Sequence, residues 1–198
     1  RLNDPRRALL TYERLADKSP GEIEPLNTVD DLAVLLGDWP KVVSTIEKKV
    51  EGASDTDGAR LLRRLGQTLG EMCDDEPGAI KAYERALDLE PDNVLTVDFL
   101  TELYERTTNP SRLVELYARR VELSKVSPDA AEEAELRYDL NLKAAAIYEG
   151  ALANASEAIA SLGAALEAKP GDGVALKALE RLYRKEGLTS ELLENLQE

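Results

Sequence analysis

Apolar and polar positions along 75–91, DEPGAIKAYERALDLEP, recur with the period of an α-helix. Ala79, Ile80, Ala82, Tyr83, Ala86, Leu87 and Leu89 fall at helical spacing, with Lys81, Glu84, Arg85 and Asp88 between them. Asp75 or Glu76 can cap the start, Pro77 suits the first turn and Pro91 stops the run. The same spacing predicts helices over 5–18, 23–36, 39–50, 57–73, 94–106, 111–125, 128–152, 157–169 and 174–186, with a last one in 190–198. Turn signals separate them: Gly37-Asp38, the loop from Gly52 to Asp55, Thr108-Asn109-Pro110, Asn154-Ala155-Ser156 and Gly171-Asp172-Gly173. No convincing alternating strand is present, so the expected class is all-α with about eleven helices.

The pattern repeats on a larger scale. At an offset of 71, Ala8 falls on Ala79, Tyr12 on Tyr83, Glu13 on Glu84, Arg14 on Arg85 and Pro20 on Pro91. At an offset of 79, Ala79-Ile80 falls on Ala158-Ile159, Pro91 on Pro170, Leu103-Tyr104 on Leu182-Tyr183 and Leu113 on Leu192. The chain therefore holds about two and a half copies of a unit made of two helix pairs, over about 5–74, 75–153 and 154–198. We read 1–198 as a single repeat segment, and as a fragment of a longer array.

The recurring alanine–aromatic–proline helix resembles the second helix of a tetratricopeptide repeat, and Leu61-Leu62, Leu65-Gly66 and Leu69 resemble the first helix of one. The resemblance implies a right-handed α-solenoid of antiparallel hairpins. In it small residues let the helices approach, an aromatic fills the gap between hairpins, and the first helices line a concave surface. Departures are Leu162 in place of the aromatic, and Asp30, Thr101 and Glu180 in small-residue positions. The acidic, alanine-rich texture resembles bacterial arrays of this kind.

Composition narrows the chemistry. The 198 residues carry a net charge of −14, which disfavours nucleic acid and anionic lipid as main partners. No apolar run approaches the roughly 20 residues of a membrane span. The sequence has no His and one Cys, Cys73, which removes imidazole acid–base work, an intrachain disulfide and thiolate zinc sites. Asp74-Asp75-Glu76 reads as a helix cap rather than a metal cluster, and 52–58 has acids but no EF-hand Glu. Neither a phosphate loop nor a dinucleotide fingerprint occurs, so no cofactor is expected.

What the resemblance implies is a non-catalytic scaffold that binds a protein or extended peptide on its concave face. The helix 57–73 would present Arg60, Arg63, Arg64 and Gln67, and the helix 174–186 would present Lys177, Arg181, Arg184 and Lys185. Asp98, Glu102 and Glu105 would stand between them, with Glu24, Asn27 and Asp31 on the helix 23–36. The bland alternative is a solvated surface in which these charges pair with one another at about 0–1 kcal/mol each. Other readings are an architectural role, with self-association through Leu192, Leu193 and Leu196, or a regulatory arm of an enzyme whose catalytic domain lies elsewhere.

Overall fold

The computed structural model describes residues 4–19, 22–107, 109–126 and 133–190. Ten α-helices lie among them: α1 (Pro5–Lys18), α2 (Ile23–Leu36), α3 (Trp39–Glu51), α4 (Asp55–Met72), α5 (Glu76–Leu89), α6 (Val94–Thr107), α7 (Pro110–Lys125), α8 (Ala134–Glu149), α9 (Ala155–Ala168) and α10 (Gly173–Glu186). Beyond Ser190 the eleventh expected helix, with Leu192, Leu193 and Leu196, lies outside the described residues, as does the expected start of the helix at Pro128.

Local chemistry explains the boundaries. Side chains of Asp4, Asp38, Ser54, Asp75, Asn109, Asn154 and Asp172 each accept hydrogen bonds from backbone N–H groups of the first turn that follows. Ser54 starts α4 at Asp55, two residues before the expected 57, because its Oγ accepts from Asp57 N–H. At the far end of α2, Gly37 adopts φ 68°, the left-handed conformation that glycine takes without strain. The helix expected to reach 152 ends at Glu149, three residues short, where Gly150 leaves the helical conformation.

Two compact units divide the chain, Arg1–Leu100 and Thr101–Glu198, with the boundary inside α6. In the first unit, consecutive helices pair from α1 through α5, and α4 with α5 is the most extensive pairing. Three glycines of α4 define that contact. A Cβ on Gly66 would stand 2.7 Å from the Tyr83 ring, one on Gly70 3.6 Å from Ala79, and one on Gly58 3.1 Å from Leu89. As numbers rise along α4 they fall along α5, so the two helices run antiparallel at short range. The core beside them joins Ala33, Val42, Ile46, Leu61, Leu62, Leu65, Ala82 and Ala86. Ile46 and Leu62 are almost fully buried there, each contributing about 1.5–3 kcal/mol of transfer free energy. The only Trp, Trp39, packs at the edge of this cluster.

In the second unit the corresponding tight pair is α8 with α9. Ala145, Ala158, Leu162, Ala175, Leu179 and Leu182 form its core. Leu162, the residue that departs from the aromatic pattern, is buried like the Tyr83 it replaces. Each unit is thus all-α, built of the tetratricopeptide-like hairpins that the repeated register predicts.

Candidate functional site

The residues expected to meet a partner lie on α2, α4, α6 and α10, and many of their charges are already engaged. On α4, Arg60 Nη2 donates to Asp57 Oδ1 at 3.0 Å and Gln67 Nε2 donates to Glu71 Oε1 at 3.1 Å, both at the surface. Arg63 Nη1 donates to Glu90 Oε2 at 2.6 Å, which ties α4 to the end of α5. Arg64 turns away from that row. Its guanidinium grips both carboxylate oxygens of Asp30, with Nη2 at 2.8 Å from Oδ1, and Lys49 Nζ donates to Asp30 Oδ2 at 3.0 Å.

Asp30 is only 2% exposed, so α2, α4 and α3 are joined through a buried carboxylate with two cations. Burial pushes its pKa up, but hydrogen bonds from Arg64 and Lys49 outweigh that and hold it below the ordinary carboxylate value. The unusual Asp in the apolar face of α2 is legible in the sequence. Its partner Lys49 is missed, because nothing in the spacing of α3 singles it out.

On α10, Lys177, Arg181, Arg184 and Lys185 all lie on exposed surface. Arg181 makes a two-pronged contact with Glu149 of α8, its Nη2 2.7 Å from Oε2. Arg184 Nη2 stands 2.6 Å from Glu180 Oε1. Lys177 and Lys185 have no ion-pair partner among the described residues. Val174, 63% exposed, stands one turn before Lys177 on the same row. On α6, Asp98 falls in the first unit and Glu102 and Glu105 in the second. Glu102 pairs with Arg106 at 3.7 Å, while Glu105 accepts from Tyr117 at 2.6 Å and from Lys143 at 2.7 Å. Lys143 and Tyr117 hold Glu105 below its usual value, and burial followed by Glu105 pushes Tyr117 upward. Glu24, Asn27 and Asp31 lie along α2. Sequence reasoning missed both tyrosine contacts of the second unit, since neither pairing has a local signature.

Tyr138 of α8 donates to Asp172 Oδ1 at 2.7 Å, and that same oxygen accepts from Val174 N and Ala175 N at the start of α10. The hydrogen bond to Asp172 pushes the Tyr138 pKa up to about 12. Asp172→Ala is therefore expected to lower the Tyr138 titration midpoint toward the usual value of about 10 and to fray the first turn of α10. A tyrosinate absorbance titration of the two proteins checks this, with a Tyr138→Phe variant identifying the signal. An unmoved midpoint contradicts it.

Among the described residues no cluster of three His, Cys, Asp or Glu side chains could hold a metal ion, and no helix is long and apolar enough to cross a membrane. Cys73 is half-buried at the end of α4.

No family model and no curated protein matches the chain. Solved structures of similar proteins do. A crystal structure of MamA is 17% identical, covering 85% of this chain and 91% of its own, with a TM-score of 0.46. YrrB, described as a TPR protein with an unusual peptide-binding site, is 17% identical over 89% of this chain and 84% of its own, with a TM-score of 0.47. The N-terminal domain of stress-induced protein-1 from C. elegans is 19% identical over 66% of this chain and 98% of its own, at 0.46. The tetratricopeptide-like character of the present chain stands on its own helix pairs and on the register they repeat, alanine and proline in all three copies with tyrosine in the first two.

Proposed function

We propose that the chain is a non-catalytic protein-interaction scaffold that takes an acidic, extended segment of another protein along the exposed face of α10. The observation that carries this reading is the row Val174, Lys177, Arg181, Arg184 and Lys185. It is basic and solvent-facing in a chain of net charge −14, with one apolar contact at its start. Exposed ion pairs such as Arg181 with Glu149 contribute about 0–1 kcal/mol, so an incoming carboxylate can take over the guanidinium at little cost. An extended segment of alternating apolar and acidic residues matches the row in both charge and character. On α4, Arg60 and Gln67 offer a smaller station of the same kind, and Arg63 and Arg64 are left to their structural carboxylates.

Titrating the 198-residue chain against a labelled peptide library tests the reading. Acidic peptides with one large apolar residue are expected to bind, and binding should fall on the order of tenfold in Lys177→Glu/Arg181→Glu and weaken as salt rises. Equal binding of basic peptides, or affinity unchanged in that variant, overturns it.

A further inference from the structure

Two cations in the second unit are each held by the same two groups, an aromatic ring and a carboxylate. Lys143 Nζ stands 5.7 Å from the centre of the Tyr117 ring and 2.7 Å from Glu105 Oε1. Lys169 Nζ stands 4.6 Å from the centre of the Tyr138 ring and 3.0 Å from Glu135 Oε1. The ring quadrupole and the carboxylate attract the cation together. The surface of α6 offers the same two groups again, around Phe99.

Phe99 is the one phenylalanine of the chain. Its ring stacks on Tyr83 with 5.3 Å between centroids and 22° between planes, which covers one face. The residue is nevertheless 44% exposed, so the other face of the ring looks into solvent, and Leu95 is 64% exposed. Leu95, Asp98, Phe99 and Glu102 are neighbours at spacings of three and four along α6, all four at the surface. Glu102 is paired with Arg106 at 3.7 Å, an exposed contact that an incoming cation displaces readily. No cation stands over the Phe99 ring among the described residues. Five described helices precede α6 and four follow it, so this face is not open for want of a neighbour in sequence. At the offsets of 71 and 79 its counterparts on α2 and α10 carry Thr28 and Ala178, and neither supplies a ring.

Arginine suits such a site better than lysine. Its planar guanidinium lies flat on a ring while its edge donates to carboxylates. Spacing fixes a second residue of the guest. Leu95 and Phe99 lie about 6 Å apart along the helix, close to the roughly 7 Å between alternate residues of an extended chain. A net charge of −14 draws a basic segment in.

We propose that the Leu95–Phe99 face of α6 binds an arginine side chain of a partner protein, presented in an extended segment with an apolar residue two positions before it. The guanidinium lies on the open face of Phe99 and donates to Asp98 and Glu102, and the apolar residue covers Leu95. The basic row of α10 takes segments of the opposite charge and plays no part in this contact.

Phe99 reports on the site by itself, because isotope-labelled phenylalanine gives the 198-residue chain a single labelled ring. The probe is the peptide acetyl-Gly-Leu-Ser-Arg-Ser-Gly-amide, titrated into that chain and followed by nuclear magnetic resonance. It should move the ring signal saturably, with the lysine analogue about two- to fivefold weaker and the glutamate analogue without effect. Asp98→Asn/Glu102→Gln should weaken the arginine peptide about three- to tenfold. Glu47→Gln/Asp88→Asn, the same change of charge at exposed positions of α3 and α5, should leave its affinity unchanged. So should Lys177→Glu/Arg181→Glu, which separates this site from the row of α10. A ring signal that stays still, that moves equally with the glutamate analogue, or that titrates alike in Asp98→Asn/Glu102→Gln overturns the proposal. So does a signal that shifts with protein concentration alone and is stilled by Lys177→Glu/Arg181→Glu, since α10 of a second copy then holds the face.

Discussion

Asp30→Ala should lower the free energy of unfolding of the chain by about 3–5 kcal/mol, the cost of leaving buried cations without their carboxylate. Lys49 is the reason the figure is large: its side chain is only 11% exposed, so water cannot replace Asp30. Arg64, being more exposed, can recover part of its solvation. Urea unfolding of the two proteins measures the difference, and a loss under about 1 kcal/mol would mean the site behaves as a surface pair. Replacing Asp30, Lys49 and Arg64 together by apolar residues of similar volume should restore most of the loss, because no charge is then stranded.

The same triad predicts a pH dependence with a definite sign. Arg64 and Lys49 outweigh burial and lower the Asp30 pKa in the folded state. The unfolded carboxylate binds protons more readily, so the contribution is complete above the ordinary Asp pKa of about 3.9 and is lost as pH falls through the folded value. The stability gap between the parent and Asp30→Asn should therefore be constant near neutrality and narrow only in strong acid. A gap that closes between pH 5 and 8 contradicts the assignment.

Gly66→Val should destabilise the first unit by about 3 kcal/mol, the upper range for overpacking a tight contact. The first added carbon alone would stand 2.7–2.9 Å from three atoms of the Tyr83 ring. That ring is 5% exposed and stacked on Phe99 at 5.3 Å between centroids, so it cannot swing aside freely. Gly66→Ala should cost less, since the helix gains about 1 kcal/mol of propensity against the clash. Gly163→Ala is the control: it sits inside α9 with nothing within 4 Å of an added Cβ, and it should stabilise by about 0.5–1 kcal/mol. Chemical denaturation reads all three. A neutral Gly66→Val would mean that α4 and α5 are free to separate.

Most of the helix boundaries were legible in the sequence because they are set locally, by a capping side chain followed by a proline or by a glycine at the end. Gly66 was legible too, as the small residue facing an aromatic, since the repeated register fixes which residues meet across a hairpin. The candidate site was less so. Periodicity placed Arg63 and Arg64 side by side on an exposed face, but it could not foresee that one is claimed by Glu90 and the other by Asp30. Those partners lie 27 and 34 residues away and are chosen by how three helices pack. Tyr138 with Asp172 and Lys143 with Glu105 escaped for the same reason. Lys177 stayed readable because nothing in the packing competes for it.

The side-chain bonds described above between one helix and the next but one span short stretches of chain: 34 residues for Arg64 with Asp30 and for Tyr138 with Asp172, 32 for Arg181 with Glu149, and 38 for Lys143 with Glu105. A polypeptide leaving the ribosome needs to have exposed only some three dozen residues before each of these ties can close. Low sequence separation of this kind favours rapid folding. The segment from Asp30 to Arg64 can thus lock while everything beyond it is still being synthesised.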